Sequence, residues 1–252
     1  AIPCGFHGLR CDRGGQCVQG PSQARVPPGA AVHAYPAVER NRWVWIWMGE
    51  AQAADPALIP HWWRMDHPEW TPVKGGDPFH VKSNYLLLND NLLDLSHVAY
   101  VHAGSIGTGN VADFPITTER GEDYIQMTRV VEDSPPPPLY RDLGRFTGNV
   151  DRWQVAVSTV PGYNTVHAGC ALPGAGCYEA PADQRMEFFN LNALTPDTTT
   201  TTHYFYAHTR SFRLDDPATD QTFHKDFRRV FSEDIGILGA QQANICLLYT
   251  SP

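Results

Sequence analysis

The chain has 252 residues, 42% hydrophobic and 18% charged, enough to bury one large core or two modest ones. Nineteen Lys and Arg stand against 27 Asp and Glu, a formal net charge of -8, and no basic stripe appears, which argues against nucleic acid or an anionic membrane as partner. The longest apolar runs fall far short of the roughly 18 residues that span a bilayer, and no signal peptide opens the chain, so a cytoplasmic protein is expected.

Residues 1–50 are rich in Gly and Pro and end in the alternating run Trp43, Val44, Trp45, Ile46, Trp47, which reads as a strand of a small all-β unit. A linker follows over 51–71, opening with "AQAADPALIP", and a second unit runs over 72–245. In it a strand is expected at 79–85 and a helix in the leucine-rich 86–101. Further strands are expected at 124–131, 152–160, 185–191 and 199–208, where β-branched and aromatic residues are enriched. "SPPPP" at 134–138 reads as a rigid surface loop. The segment 218–244 reads as a long helix with Phe223, Phe227, Val230, Phe231 and Leu238 on one stripe. The fold class is therefore α+β, an antiparallel sheet closed by helices. The front, "AIPCGFHG", looks cut, and 246–252, "CLLYTSP", breaks the helical pattern and reads as a non-native tail.

Three places carry unusual chemistry. At the front, Cys4 and His7 form a C-x-x-H pair, with Cys11 and Cys17 nearby. That pair could be one half of a Rieske iron–sulfur site, in which each half-motif gives one Cys and one His. A Cys₃His zinc knuckle built from all four is the competing reading. Cys170 and Cys177 read as core or loop cysteines.

In "NDNLLDLSHVAYVH", Asp94, His97 and His102 interrupt an apolar helix. Asp94 and His97, three apart, share a face of such a helix. His97 and His102 lie about 140° apart around it, so both reach one metal only if the helix ends or distorts between them, which Gly104 and Gly107 permit. Unrelated core and surface histidines are the bland alternative.

Asp234 falls on the apolar stripe of the long helix, where an ionised carboxylate without a partner costs several kcal/mol. It needs a metal or a salt bridge, for which Arg228 and Arg229 are at hand. Two imidazoles and a distant carboxylate suit ferrous iron with open positions, although zinc takes the same groups.

Taken together these segments resemble the oxygenase (alpha) subunit of Rieske non-haem iron oxygenases, in the vanillate O-demethylase-like branch. "CGFHGLRCDRGGQCVQGP" is similar to the second half of the Rieske motif and "RWVWIWMGE" to the last strand of that domain. "NDNLLDLSHVAYVHAGSIG" resembles the iron-site helix, N-x-x-D-x-x-H-x-x-x-x-H, and "FSEDIGILGAQQ" the segment giving the third ligand. The resemblance implies a partial all-β Rieske domain followed by a helix-grip-like catalytic domain. It implies iron ligands at His97, His102 and Asp234, a catalytic bridging carboxylate at Asp94, and a [2Fe-2S] half-site at Cys4 and His7. The first half-motif, C-x-H, would lie before residue 1 and a C-terminal extension beyond 244. Cys11 and Cys17 match no ligand of the family.

The implied activity is monooxygenation, an O-demethylation or methyl hydroxylation of a small aromatic acid with O2. Electrons would come from NAD(P)H through a separate reductase, and the subunits would form a trimer. No G-x-G-x-x-G fingerprint follows a strand, so the nucleotide chemistry belongs to a partner. Phe188, Phe189, Tyr204 and Tyr206 could line an apolar pocket, with core packing as the alternative. A metal-dependent hydrolase on the same three ligands and a non-catalytic ligand-binding protein remain as other functional readings.

Overall fold

The computed structural model describes residues 1–249 apart from 22, 23 and 74; the side chains of 246–249 and all of 250–252 lie outside the described residues, and with them most of the expected tail. The chain divides into two compact units, 1–61 and 62–252, a division that falls inside the 51–71 segment.

The first unit holds a three-stranded antiparallel sheet of β1 (Ile2–Pro3), β2 (Arg10–Cys11) and β3 (Cys17–Gln19), and a hairpin of β4 (Ala37–Arg40) and β5 (Trp43–Ile46). In β5 the two tryptophans share one face and stack at 5.9 Å, while Val44 and Ile46 lie exposed on the other. Among its described residues only Gly15 and Gly20 are buried, so this unit has no apolar core of its own.

The second unit is built on an antiparallel sheet in the order β6 (Thr71–Val73), β13 (Thr201–Arg210), β12 (Arg185–Thr198), β11 (Tyr163–Ala171), β10 (Val150–Thr159), β9 (Tyr124–Ser134) and β8 (Ile116–Arg120). A short strand β7 (Phe79–Val81) pairs with β13 along the same edge as β6. From β8 to β13 each strand pairs with the next, so the sheet is a meander of local pairings.

Three helices pack their apolar sides into one core with the sheet: α1 (Tyr85–Leu93) through Leu88, α2 (Pro138–Gly144) through Leu139, Tyr140 and Leu143, and α3 (Pro217–Tyr249) through its aromatic stripe. The expected stripe residues Phe223, Phe227, Val230, Phe231 and Leu238 are all buried. No helix among the described residues is long and apolar enough to cross a membrane.

Several expectations change. The strand expected at 79–85 stops at Val81, because Asn84 caps α1 by accepting from the Leu86 backbone N–H at 2.9 Å. The helix expected over 86–101 ends at Leu93; Asp94 adopts extended φ and ψ, and His97–Ala99 form a single 3₁₀ turn. The proline run is not a plain surface loop: Pro137 is buried and Pro138 opens α2 at a position where its missing N–H has no helical partner to lose. Strands β6, β8 and β11 and helix α2 carried too little alternation or length to be read beforehand. Phe188, Tyr204 and Tyr206 pack in the core against α3, and Phe189 stacks on the His167 ring at 4.2 Å, so none of the four lines the cavity beside His97, His102 and Asp234.

His208 sits in that core, fully buried among Phe223, Phe227 and Phe231. Its Nδ1 is 2.7 Å from Asn190 Oδ1, an acceptor, so the ring is the neutral Nδ1–H tautomer. Burial, with His224 nearby, pushes its pKa down to about 3. The unfolded chain therefore binds a proton that the folded chain refuses, and stability falls as the pH drops from about 6.5 towards 3. Chemical denaturation should show a loss of about 2 kcal/mol between pH 7 and pH 5 that is absent from His208→Gln. Parallel pH profiles for the two chains would contradict this assignment.

Candidate metal centre

The end of α1, the turn after it and the middle of α3 bring three donors together. His97 Nε2 and His102 Nε2 are 3.1 Å apart, His97 Nε2 lies 3.6 Å from Asp234 Oδ1, and His102 Nε2 lies 3.3 Å from Asp234 Oδ2. The helix had to stop for this to happen. With α1 ending at Leu93, the chain from Asp94 to Gly107 folds into turns that place both imidazoles on one point, removing the angular conflict that a continuous helix imposes. Gly107 closes these turns: its N–H donates to the His102 carbonyl at 2.7 Å, and a Cβ there would stand 2.5 Å from the Val98 oxygen. Gly104, by contrast, has open space around it.

Asp234 does not form the salt bridge offered by the neighbouring arginines. Its partners are the two imidazoles and the Asn91 amide, which donates to Oδ1 at 3.3 Å, while Arg228 donates to the Asp77 carbonyl and the Tyr206 hydroxyl.

Glu233, next to Asp234, was not singled out from the sequence, because adjacent helix positions point about 100° apart and nothing marks one as reaching the other's partner. It accepts from His102 Nδ1 at 2.7 Å and from the Ser105 hydroxyl at 2.9 Å. A carboxylate can only accept, so Nδ1 carries the hydrogen and the Nε2 lone pair is turned to the centre. Burial lowers the His102 pKa, but its hydrogen bonds to Asp234 and Glu233 and their charges outweigh that and raise it. Burial, followed by the charge of His102, lowers that of His97 despite the pull of Asp234.

Asp94 lies at the C-cap of α1 with its carboxylate half exposed. Oδ1 accepts from the Ser96 backbone N–H at 2.7 Å and hydroxyl at 2.5 Å, and Oδ2 stands 3.7 Å from His97 Nδ1. Burial raises its pKa, while the Ser96 hydrogen bonds and then the His97 charge lower it further, so it is held ionised. His97 Nδ1 itself is buried and makes no hydrogen bond.

Two imidazole nitrogens at 3.1 Å cannot both direct lone pairs at each other; a proton or a cation must lie between them. Together with the carboxylate they form a three-donor set whose atoms all fall within 4.8 Å, the nitrogen and oxygen set suited to a ferrous ion with open positions. The centre opens on a pocket, open to solvent on one side, walled by Leu92, Ile106, Val166, Val230 and Phe231, with Asn190 and Gln154 as polar groups.

In the first unit, Cys4 and His7 sit on an exposed turn closed by Gly8 N–H to Cys4 O at 2.8 Å and Cys4 N–H to Leu9 O at 2.7 Å. Backbone N–H groups of Phe6 and His7 lower the Cys4 thiol pKa, which favours the thiolate that a metal takes. Cys11 and Cys17 form a separate pair, Sγ to Sγ 3.0 Å, across β2 and β3. Among the described residues Cys4, His7, Cys11 and Cys17 do not converge as a four-ligand knuckle. Cys170 is a core residue, its thiol pushed up to about 12 by burial.

Residues 81–252 match the family described as the vanillate O-demethylase oxygenase C-terminal domain. The vanillate O-demethylase oxygenase subunit of a Pseudomonas species is 37% identical over 97% of this chain and 75% of its own length. The iron–sulfur subunit of the toluene-4-sulfonate monooxygenase system of Comamonas testosteroni is 34% identical over 96% of this chain and 70% of its own. The crystal structure of dicamba monooxygenase bound to 3,6-dichlorosalicylic acid superposes with a TM-score of 0.86 at 30% identity, covering 99% of this chain and 73% of that one. The hydrolase and passive-binder readings therefore give way, and the chain belongs to the Rieske non-haem iron oxygenases, as an oxygenase component of the vanillate O-demethylase branch.

Proposed function

We propose that the protein hydroxylates a methoxy or methyl carbon of a small aromatic acid, with His97, His102 and Asp234 holding a mononuclear ferrous ion. The observation that carries this reading is the convergence of the three donors at the wall of an apolar pocket. A ferrous ion bound there would supply the redox chemistry that activates dioxygen against a neighbouring C–H bond. A hydroxylated methoxy carbon is a hemiacetal and collapses to a phenol and formaldehyde. Relatives named for vanillate, toluene-4-sulfonate and dicamba support an anionic aromatic substrate.

The chain's own residues do the rest. Glu233 fixes the tautomer of His102, Asn91 orients Asp234, and the leucine, isoleucine, valine and phenylalanine walls give the reacting carbon apolar surroundings. Asn190 spends its carbonyl on His208, leaving the amide N–H₂ as a donor for substrate, and the Gln154 carbonyl is buried without a partner.

Cys4 and His7 amount to one thiolate and one imidazole, half the ligands of a Rieske cluster. Electrons would reach that cluster from NAD(P)H through a separate reductase, in keeping with relatives named as oxygenase components. Asp94, ionised and next to His97, is the candidate bridge by which a cluster histidine of a neighbouring subunit in a trimer joins the two centres.

Three outcomes are expected. Anaerobic titration should load about one ferrous ion at the triad, with His97→Ala or Asp234→Asn abolishing it and Glu233→Gln weakening it roughly tenfold to a hundredfold; undiminished loading in His97→Ala would remove the centre. With a reductase, oxygen uptake should respond to methoxylated or methylated benzoates, and a response confined to alkyl amines or sterols would refute the substrate class. Asp94→Asn should keep its iron, its reducible cluster and its oligomeric state, yet pass electrons to the mononuclear site far more slowly in single turnover. Normal transfer in that variant would eliminate the bridge and leave the triad standing.

A further inference from the structure

At the end of the β12–β13 hairpin a second cluster of metal-binding side chains lies well away in sequence from the triad: His80 on β7, His203 on β13 and Asp197 on β12, with one donor atom from each falling within 4.8 Å of the others. The sheet register makes this arrangement. His80 and His203 are direct antiparallel partners, so their side chains project from the same face, and their rings stand 4.8 Å apart at 30°. On the other side of β13, His203 is paired with Thr195, and the two-residue period puts Asp197 on the face of Thr195. The register shifts between Pro196 and Thr198, leaving Asp197 as the extra residue of a β-bulge, free of the ladder and able to lean along the hairpin.

The carboxylate is shared between the two rings: Oδ2 lies 3.0 Å from His80 Nε2 and Oδ1 lies 3.9 Å from His203 Nε2. It is also oriented, since the Thr201 hydroxyl donates to Oδ2 at 2.9 Å and meets the Thr198 hydroxyl at 2.7 Å. That outer hydrogen bond is the kind of support that fixes a metal-ligating carboxylate. All three side chains are about half exposed, so small rotations can close the donors onto an ion without disturbing the core, and water can complete the coordination.

We infer that His80, Asp197 and His203 form a surface site for a divalent zinc ion, separate from the triad. Two imidazole nitrogens and one carboxylate oxygen are a three-ligand zinc set, with the fourth tetrahedral position left to water. The ion would clip three strands together at the point where the hairpin meets α1. Asn84, whose side chain caps that helix, also donates to the Thr199 carbonyl in the hairpin turn at 2.8 Å. Zinc here braces the helix whose far end carries Asp94.

The test is equilibrium dialysis of the full chain against micromolar zinc, followed by metal analysis. His203→Gln and Asp197→Asn should each remove about one zinc per chain, His97→Ala should remove a different one, and His203→Gln combined with His97→Ala should remove both. Retention of the wild-type stoichiometry in His203→Gln and Asp197→Asn, with affinity within twofold, would overturn the assignment. Should those variants fold poorly, wild-type protein with ¹⁵N-labelled histidine decides the matter. Zinc must shift the imidazole nitrogens of His80 and His203, and unmoved signals from these two at saturating zinc would also overturn it.

Discussion

A buried carboxylate facing two imidazoles is the interaction around which the catalytic unit is arranged. Asp234 lies on the same stripe of α3 that carries Phe227, Val230 and Phe231, where an uncompensated charge costs several kcal/mol. Its compensation is imported from more than a hundred residues away: the Asn91 amide from α1 and the two rings from the turns that follow. Removing either imidazole would leave the carboxylate short of a partner, while removing the carboxylate would leave two nitrogens confronting each other at 3.1 Å. A cation between the three satisfies all of them at once. Glu233, itself held by Ser105, sits behind His102 and keeps its Nε2 turned inward.

The sheet contributes by being dull. Its meander from β8 to β13 makes a broad surface on which α3 can lie, and the aromatic stripe grips that surface through Phe188, Tyr204, Tyr206 and His208. With the helix held in register by so many rings, the carboxylate at 234 is held facing the two imidazoles. Three of the four side chains that looked suited to a substrate pocket, Phe188, Tyr204 and Tyr206, are thus among those that hold the helix, and the pocket walls come from α3, from α1 and the turns after it, and from Gln154, Val166 and Asn190 of the sheet.

The elements that were legible from the sequence are those whose patterning is local and strong. The stripe of α3 and the strands richest in β-branched and aromatic residues stand out because one face of each must be buried. The candidate metal ligands stood out because a carboxylate or a histidine amid leucines violates that patterning. What was not legible depended on tertiary context. The end of α1 at Leu93 follows from the packing of the turns up to Gly107, and no proline or glycine marks it. Glu233 looks like one more acidic residue beside Asp234 until the fold brings His102 to it. Strand β11, "YNTVHAGCA", has its glycine at the point where the Trp153 ring and the Met186 carbonyl approach within 2.4 Å of any added Cβ, and that glycine dilutes the strand signal it serves.

The separation of 131 residues between His102 and its partner Glu233 has a consequence for how the protein is made. The strands of the meander pair with their immediate neighbours, so the sheet assembles from contacts that are short in sequence. The centre does not: it closes a loop that contains the whole meander, and that closure is rewarded only after α3 has docked. A chain still emerging from the ribosome can hold both histidines and half the sheet before the carboxylate that faces them exists. Metal loading at the proposed centre would therefore report on completed folding, and a lesion anywhere along the stripe of α3 that delays docking would surface first as metal-free protein, before any loss of the sheet.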